Sequence, residues 1–365
     1  MGYRVSENID ISVNDDVLSF LGKDSNVVLS EISNSDRVMM MCLLKQYYLA
    51  LRKRIGVSSD ISFGLEIEFE EAMEDIIDEK LYQNFNGEGW IMVPDDSLSN
   101  GAEINTPKLT DCEDTWIDLN YVCRIVDENA YVMDNTSGHI HIGTQILGNN
   151  PKYWGNFAKL WATYENVIFR FLYGEYVGPR ADIEEYAKPI SKDFIDDLER
   201  INDRARGISA KHMFKLFDKG DEPRKIRRRK SVNFTNVSDL EPYKYNMNGI
   251  DMNTVEFRSP NGTFDPVIWQ NNINFLIKLM LYCKSNKFDE DKIIKRMNKI
   301  NSDNIPSNIY KYSCIYMEQA IELADMMFDN NLDKVYFLRQ YVKSGEVSNK
   351  PMIKSKKFTR YNIFV

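Results

Sequence analysis

The chain has 365 residues, 43% of them hydrophobic, and its 46 basic and 55 acidic residues give a net charge of −9. Such a chain is long and apolar enough to bury the core of one large domain or two. Its acidic balance argues against indiscriminate binding to nucleic acid or to anionic membranes. It contains no run of about 20 apolar residues that would span a bilayer, and its first residues, MGYRVSENIDISV, lack an apolar signal core. We therefore expect a cytoplasmic protein without a nucleic-acid or membrane partner.

The first predicted element is a long helix near the start of the chain. Residues 1–35 are polar and weakly periodic, whereas 36–55 combine an apolar pattern with Arg and Lys in the last turns before Gly56. Residues 1–56 are therefore predicted to form an N-terminal helical extension that packs on the rest of the protein.

Strand-like segments follow from Ile61 onward. They are GLEIEFE at 64–70, GWIMVP at 89–94, GAEIN at 101–105, GHIHIG at 138–143, SVNFTNV at 231–237 and TVEFRS at 254–259. A helical stretch at 109–131 separates the third from the fourth. Charged strands that lie in separate sequence blocks meet only if they share one sheet, so we assign 57–265 to a single core.

Helices are predicted for most of the remainder. The stretch 151–226 is expected to be a helical insertion in the core, with an amphipathic stripe of Phe157, Leu160, Trp161 and Tyr164. Three more helices are predicted in DPVIWQNNINFLIKLMLYC, SCIYMEQAIELADMMF and LDKVYFLRQYV. The region 266–365 is therefore predicted to be a C-terminal helical region packed on the core.

Four of the strand-like segments carry polar or ionisable side chains at alternate positions. Strand side chains alternate between the two faces of a sheet, so these residues should share one face and the interleaved apolar residues the other. The polar set comprises Glu66, Glu68, Glu70, Glu103, Asn105, His139, His141, Glu256 and Arg258. The apolar set comprises Leu65, Ile67, Phe69, Ile104, Ile140, Ile142, Val255 and Phe257. A face so rich in carboxylates and so poor in lysine needs cations.

Each segment also has an ordinary explanation. The glutamates of GLEIEFE fit a strand with one wet face, and the two histidines fit a structural pair. Glu256 with Arg258 fits a surface ion pair of little energetic weight. The joint occurrence favours function, since two of the three histidines in the chain stand at alternate positions of one strand.

The composition of this face indicates a class of metal. Several carboxylates with one or two imidazoles make an oxygen-rich site, which suits Mg²⁺ or Mn²⁺ better than Zn²⁺. Protein-bound Mg²⁺ usually shares its remaining positions with phosphate oxygens, and an arginine beside such a site suits a phosphoryl group in transfer. The chain has no Walker A sequence and no dinucleotide fingerprint. The residues therefore favour phosphoryl transfer without a glycine-rich loop.

The order of the motifs resembles a known family. GLEIEFE, DDSLSNGAEINTP, SGHIHIG and TVEFRSPNGTFDP, spread over residues 61–266, are similar to motifs of the amidoligases, carboxylate-amine ligases related to glutamine synthetase and glutamate-cysteine ligase. The resemblance implies an α+β fold with an antiparallel, partly closed half-barrel sheet of the glutamine-synthetase-like catalytic type. It also implies helices on the outer face and helical N- and C-terminal additions. The concave side would hold ATP between two or three Mg²⁺ or Mn²⁺ ions.

The same resemblance implies roles for individual residues. The implied metal ligands are Glu66, Glu68, Glu103, His139 and Glu256. Arg258 would contact the terminal phosphate of the nucleotide, Arg229 is a further candidate for a phosphate contact, and His141 would lie behind the ligands or face the substrate.

Two positions depart from the family pattern. The turn reads Asp95-Asp96-Ser97, with an aspartate where a glycine is usual, so the sequence leaves open which aspartate is functional. We take Asp96 as the candidate base for the incoming amine. Ser137 stands where many members have cysteine. Neither departure touches an implied metal ligand.

The implied activity is the ATP-dependent joining of a carboxylate and an amine in an amide, peptide-like or isopeptide bond. ATP would phosphorylate the carboxylate to an acyl phosphate, and the amine would then expel phosphate. The partners are thus a carboxylate and an amine substrate, each an amino acid, a peptide or a protein, and a homo-oligomer is left open. Three alternatives stay open: a phosphotransferase, an inactive binding protein on the same fold, and a zinc hydrolase that uses His139 and His141.

Overall fold

A computed structural model describes most of the chain. The described residues are 17–22, 25–86, 88–95, 97–98, 100–176, 178–181, 183–191, 229–237, 253–302 and 315–343, and the side chains at 300–302 and 315 are not described. Asp96 and most of the second half of the predicted helical insertion lie outside these ranges.

A six-stranded antiparallel sheet forms the centre of the described structure. Its strands are β1 (Phe63–Glu70), β2 (Ile91–Pro94), β3 (Gly101–Asn105), β4 (Gly138–Gly143), β5 (Val232–Asn233) and β6 (Thr254–Phe257), in the order β2-β3-β1-β4-β6-β5. Every neighbouring pair is antiparallel. This confirms the mixed helix-and-sheet fold and the antiparallel sheet. The described sheet is open, because β2 and β5 lie at opposite edges, and its glutamine-synthetase-like type stays a prediction.

One face of the sheet is apolar, as the alternation in the sequence predicts. The eight predicted core residues of the strands are all at most 2% exposed. Aromatic side chains from helices cover this face: Trp161 lies 5.4 Å from Phe257 between ring centroids, and Trp116 stacks on Phe63 at 5.5 Å. Each buried Ile or Phe contributes roughly 1.5–3 kcal/mol. This layer therefore fixes which side of each strand faces away from the core.

The first residue of β4 is a glycine that the core requires. A Cβ atom at Gly138 would lie 2.2 Å from Cη2 of Trp269, which is fully buried. Only glycine leaves room for the indole at this point. Trp269 therefore packs directly on the strand that carries His139.

Eight helices of the described residues surround the sheet or extend from it. They are α1 (Asn34–Gln46), α2 (Glu74–Phe85), α3 (Glu113–Asn129), α4 (Pro151–Leu172), α5 (Pro266–Lys284), α6 (Glu290–Ser302), α7 (Ile315–Met327) and α8 (Asn331–Val342), besides single turns such as Ile183–Tyr186. Helix α3 confirms the stretch predicted at 109–131, and α5, α7 and α8 confirm the three helices predicted after residue 265. The sequence reading missed α6, whose charged sequence conceals the buried pair Ile293 and Met297 at helical spacing.

Helix α4 is more deeply buried than its amphipathic stripe predicts. All four stripe residues are buried, but so are polar residues at other positions, among them Asn156, Lys159, Glu165 and Arg170. The reason is that α4 packs against α5, α6, α7 and α8 at once. It is a central helix of the protein and not a surface helix.

The predicted helix at 36–55 is wrong in its second half. Helix α1 ends at Gln46, and Tyr47 already has an extended backbone. Beyond it the backbone N–H groups of Ala50 and Arg52 donate to Tyr336 Oη at 3.3 Å and Gln270 Oε1 at 2.8 Å. These tertiary partners satisfy the backbone groups that a longer helix would have used.

The carboxylate of Asp111 fixes the end of this extended segment. It accepts hydrogen bonds from the backbone N–H groups of Ile55, Gly56 and Val57 at 2.9 to 3.2 Å, and from Trp116 Nε1 at 2.8 Å. Asp111 is 3% exposed. The segment is thereby attached to the start of α3, next to β1.

Buried apolar residues from all three predicted regions belong to one continuous core. The proposed boundaries at 56 and 265 stay predictions. Among the helices in the described ranges, none combines the length and apolar character that crossing a bilayer demands.

Candidate metal centre

The register of the sheet brings the predicted polar face together. Glu66 lies opposite Asn105 of β3 on one side and His139 of β4 on the other, and Glu68 lies opposite Glu103. His141 lies opposite Glu256 of β6. Directly opposed residues on neighbouring strands point to the same face. Motifs separated by as many as 190 positions in the sequence thus become neighbours across four adjacent strands.

One group of ligand atoms consists of Glu66, His139 and Glu256. Their atoms all lie within 4.8 Å of one another. Nδ1 of His139 contacts Oε2 of Glu66 and lies 4.0 Å from Oε1 of Glu256. His139 and Glu256 are buried, whereas the side chain of Glu66 is 23% exposed. Two carboxylates and an imidazole at this spacing are able to hold one cation.

A second group lies on the other side of the same ring. The ligand atoms of Glu68, Glu103 and His139 also lie within 4.8 Å of one another, and Nε2 of His139 is 3.7 Å from Oε1 of Glu68. Glu103 accepts a hydrogen bond from Asn105 Nδ2 at 3.0 Å. The imidazole of His139 therefore separates two carboxylate groups, with one ring nitrogen facing each.

His141 lies behind Glu66 instead of joining either group. Its Nε2 is 2.9 Å from Oε1 of Glu66, and its Nδ1 is 3.2 Å from Oγ1 of Thr254. Glu66 is thus held by an imidazole at each carboxylate oxygen. Of the two roles expected for His141, these contacts favour a position behind Glu66, and the role itself stays a prediction.

The electrostatics of the face are those of crowded carboxylates. Burial raises the pKa of Glu103 to about 8, and the negative charges of Glu66, Asp95 and Glu68 add to this effect. Burial acts in the same direction on Glu66, but the attraction of His139 and His141 outweighs it and holds the pKa of Glu66 well below 4.5. The same face thus carries Glu66, which is stabilised as an anion, and Glu103, whose ionisation is disfavoured. A bound cation would relieve the repulsion.

Arg258 belongs to the same site. Its Nη1 donates to Oε1 of Glu256, and its Nε donates to the carbonyl oxygen of Tyr186 at 3.3 Å. Burial would lower the pKa of the guanidinium, but Glu256, Glu66 and Glu68 together raise it. A permanent positive charge therefore lies beside the first ligand group.

The two remaining candidates from the sequence are Arg229 and Asp96. The guanidinium of Arg229 pairs with Glu185 at 3.0 Å and lies over the ring of Tyr186 at 5.1 Å. The carbonyl oxygen of the same Tyr186 accepts from Arg258 Nε. Asp96 lies outside the described residues. Its neighbour Asp95 accepts a hydrogen bond from the Ser97 N–H at 2.8 Å. The choice between the two aspartates stays a prediction.

Sequence reasoning missed three uncharged residues that hold the carboxylates. Ser137 donates its backbone N–H to Oε2 of Glu68 at 2.7 Å and its hydroxyl to Oε1. Asn233 Nδ2 donates to Oε2 of Glu256 at 2.6 Å, and Asn135 Nδ2 donates to Oε1 of Glu70 at 2.8 Å. Ser137 stands out in the sequence only as a departure from the family pattern, and no contact with Glu68 was predicted for it. For Asn233, at an alternate position of SVNF, adjacency to the charged strands was the only signal.

A comparison with protein families agrees with this geometry. The model of a family described as "putative amidoligase enzyme" matches residues 59–280, which include all six strands and reach into α5. The chain belongs to this amidoligase family. No curated protein matches the chain. Membership confirms the resemblance drawn from the four motifs, and it indicates an enzyme that forms amide bonds between two substrates.

Proposed function

We propose that this amidoligase is an ATP-dependent carboxylate-amine ligase that forms its amide bond through an acyl phosphate. One observation carries the proposal: two groups of carboxylates meet on either side of the His139 ring, and Arg258 contacts a member of the first group. Family membership supports amide-bond formation. The clustered carboxylates and the adjacent guanidinium support the use of a metal-bound nucleotide to activate the acid.

The carboxylates and the imidazole fit two or three bound Mg²⁺ or Mn²⁺ ions. Glu66, His139 and Glu256 would hold one ion, and Glu68 with Glu103 would hold another. Oxygen-rich sets suit these hard cations. The pKa of Glu103 is raised by burial and, in addition, by like charges that a cation would neutralise. When bound, the ions would neutralise the phosphate oxygens of ATP.

The residues of the chain would supply orientation and fixed charge. Arg258 is held by Glu256 and by the Tyr186 carbonyl, so its remaining N–H donors are oriented before substrate arrives. We assign these donors to the phosphoryl group in transfer, where negative charge spreads over the oxygens. Arg229 stays a second candidate for the nucleotide phosphates. A protein nucleophile is not required, since the acyl phosphate forms on the substrate itself.

The amine must attack as a neutral group, so a base has to accept a proton from the incoming ammonium. We assign this role to the Asp95-Asp96 turn, with Asp96 as the first candidate. Asp95 directly follows β2, whose Val93 pairs with Glu103, and this register supports the proximity of Asp95 to the proposed metal centre. Deprotonation by a positioned carboxylate typically contributes ~10²–10⁴-fold to the rate.

The test is a product assay with the purified full chain. We would measure ADP release with Mg²⁺ and ATP across a panel of carboxylic acids and amines, and then determine the masses of the products. The proposal predicts ADP release that requires both an acid and an amine, and a product with the mass of their condensate. Glu256→Gln should abolish turnover, whereas Glu88→Gln, which changes an exposed carboxylate, should leave it intact.

Other outcomes distinguish the alternatives. Accumulation of a phosphorylated acid without any amine would identify a phosphotransferase. Zinc in the purified protein, together with an absence of ATP binding, would favour a hydrolase. Nucleotide binding without turnover on any pair of substrates would favour a binding protein.

A further inference from the structure

Ser137 is the residue that joins the two halves of the metal centre. It precedes β4, is 4% exposed, and binds both carboxylate oxygens of Glu68 through its backbone N–H and its hydroxyl. The same hydroxyl oxygen lies 3.1 Å from Nε2 of His139. A single buried hydroxyl therefore stands between a carboxylate and an imidazole that belong to different sides of the site.

The number of protons decides the direction of these hydrogen bonds. A serine hydroxyl has one hydrogen, and an ionised carboxylate only accepts. The hydroxyl proton of Ser137 therefore goes to Glu68, and toward His139 the hydroxyl oxygen is an acceptor. Nε2 of His139 must then carry the proton that it donates to Ser137.

The opposite ring nitrogen is left for the other carboxylates. Nδ1 of His139 faces Glu66 and Glu256, and a cation bound there would take the place of the proton between Nδ1 and Glu66. A histidine that is metal-bound through one nitrogen generally donates its other N–H to a partner that fixes the tautomer. Ser137, backed by Glu68, is such a partner.

We propose that Ser137 is a positioning residue that assigns His139 to the Glu66 and Glu256 group. The chain of hydrogen bonds from Nε2 through the Ser137 hydroxyl to Glu68 keeps Nε2 protonated, so Nε2 is not a ligand for the Glu68 and Glu103 group. One cation site then contains a nitrogen ligand, and the other contains carboxylates only. The cation sites rest on the proposed function, whereas the hydrogen-bond order rests on the contacts alone.

Removal of the hydroxyl has a definite consequence. In Ser137→Ala the backbone N–H still holds one oxygen of Glu68, but Nε2 loses its acceptor, and the nearest carboxylate oxygen of Glu68 is 3.7 Å away. The ring keeps its Nδ1 contact with Glu66 but loses the partner that keeps the proton on Nε2. Loss of such a partner typically weakens metal binding by about 10- to 100-fold.

The experiment combines metal binding with nitrogen NMR on the full chain. Only three histidines are present, so ¹⁵N-histidine labelling gives a spectrum in which His141→Gln and His212→Gln variants together assign the signals of His139. With saturating Mg²⁺, the wild type should show a protonated Nε2 and an unprotonated, cation-shifted Nδ1 at His139. Calorimetric titration with Mn²⁺ should show a 10- to 100-fold weaker association for Ser137→Ala.

Two further variants separate positioning from packing. Ser137→Cys retains a weak donor and acceptor at the same position, and it should recover part of the affinity and the protonated Nε2. Ser62→Ala removes another buried serine hydroxyl, one that contacts Gln145 and none of the carboxylates, and it should change neither readout. Circular dichroism would confirm that each variant is folded.

The proposal is overturned if the wild type carries the His139 proton on Nδ1 while Nε2 shows the cation shift. It is also overturned if folded Ser137→Ala binds Mn²⁺ as the wild type does and keeps the wild-type nitrogen spectrum. Neither result depends on turnover. A wild type without ligase activity but with a protonated Nε2 would contradict the proposed function and leave the role of Ser137 intact.

Discussion

Glu66 and His139 face each other across β1 and β4, and the carboxylate of Glu66 also contacts His141 through its second oxygen. Glu66 is therefore clamped between two imidazoles at the centre of the sheet. Because β1 pairs with a strand on each side, the backbone that carries Glu66 has little freedom to shift.

This arrangement predicts how stability depends on pH in the presence of a chelator. The pKa of Glu66 lies below its ordinary 4.5, so its contribution is present above pH 4.5 and lost as pH falls through the folded value. The pKa of His141 lies above 6.5, so its contribution is present below pH 6.5 and lost as pH rises through the folded value. The wild type should exceed Glu66→Gln in stability most clearly between pH 4.5 and 6.5. Urea unfolding across this range measures the difference, and a difference that is constant with pH would contradict the pairing.

Glu103→Gln should have the opposite effect. The pKa of Glu103 is raised from 4.5 to about 8, so the folded state binds its proton more tightly and loses stability as pH rises from 4.5 to 8. Glutamine removes this loss. With a chelator present, the variant should be more stable than the wild type at pH 8, yet bind Mn²⁺ more weakly. Thermal unfolding and Mn²⁺ titration test the two halves, with Glu88→Gln as the control, and a destabilised variant at pH 8 would refute the prediction.

Arg258→Lys should be costly although it keeps the charge. A lysine ammonium cannot donate to Glu256 and to the Tyr186 carbonyl in the geometry of the guanidinium while also reaching a phosphate. Loss of one transition-state donor typically lowers kcat by ~10²–10³-fold. Steady-state kinetics at saturating ATP measure the effect, and Arg124→Lys on α3 serves as the matched control. Unchanged kcat in Arg258→Lys would remove this residue from the chemistry.

Asp111→Ala should destabilise the fold without affecting metal binding. The substitution leaves the N–H groups of Ile55, Gly56 and Val57 and the Trp116 indole without their acceptor. Stranded buried donors cost about 1–3 kcal/mol each, so a loss of at least ~3 kcal/mol is expected. Asp114→Ala, an exposed change in the first turn of α3, should cost less than ~1 kcal/mol. Urea unfolding compares them, and equal losses would show that the Asp111 contacts are unimportant.

The alternation of residues in the sequence was sufficient to predict which face of the sheet carries the clustered polar residues and which face is apolar. A period of two specifies which side chains share a face, and the buried apolar set from Leu65 to Phe257 agrees with it. It does not specify which strands are neighbours. The pairing of Glu66 with His139 and of His141 with Glu256 depends on the register of β1, β4 and β6, which is set by long-range packing.

Other features lay beyond sequence reasoning for equally physical reasons. The end of α1 at Gln46 depends on acceptors such as Gln270, more than 200 positions away in the chain. Ser137 and Asn233 have no charge and no spacing that marks them, and their roles exist only because folding brings Glu68 and Glu256 within reach. Uncharged residues that hydrogen-bond to the side chains of a charged site are therefore difficult to predict from a single sequence.

The contact between Trp269 and Gly138 joins two layers that sheet proteins usually keep apart. Because Gly138 has no side chain, the indole of Trp269 packs directly on the backbone of β4, and the next residue of that strand is His139. An alteration in the size of residue 269 would be transmitted to the imidazole with nothing in between to absorb it. We therefore expect a change of side-chain volume at position 269 to alter the affinity of the proposed cation site.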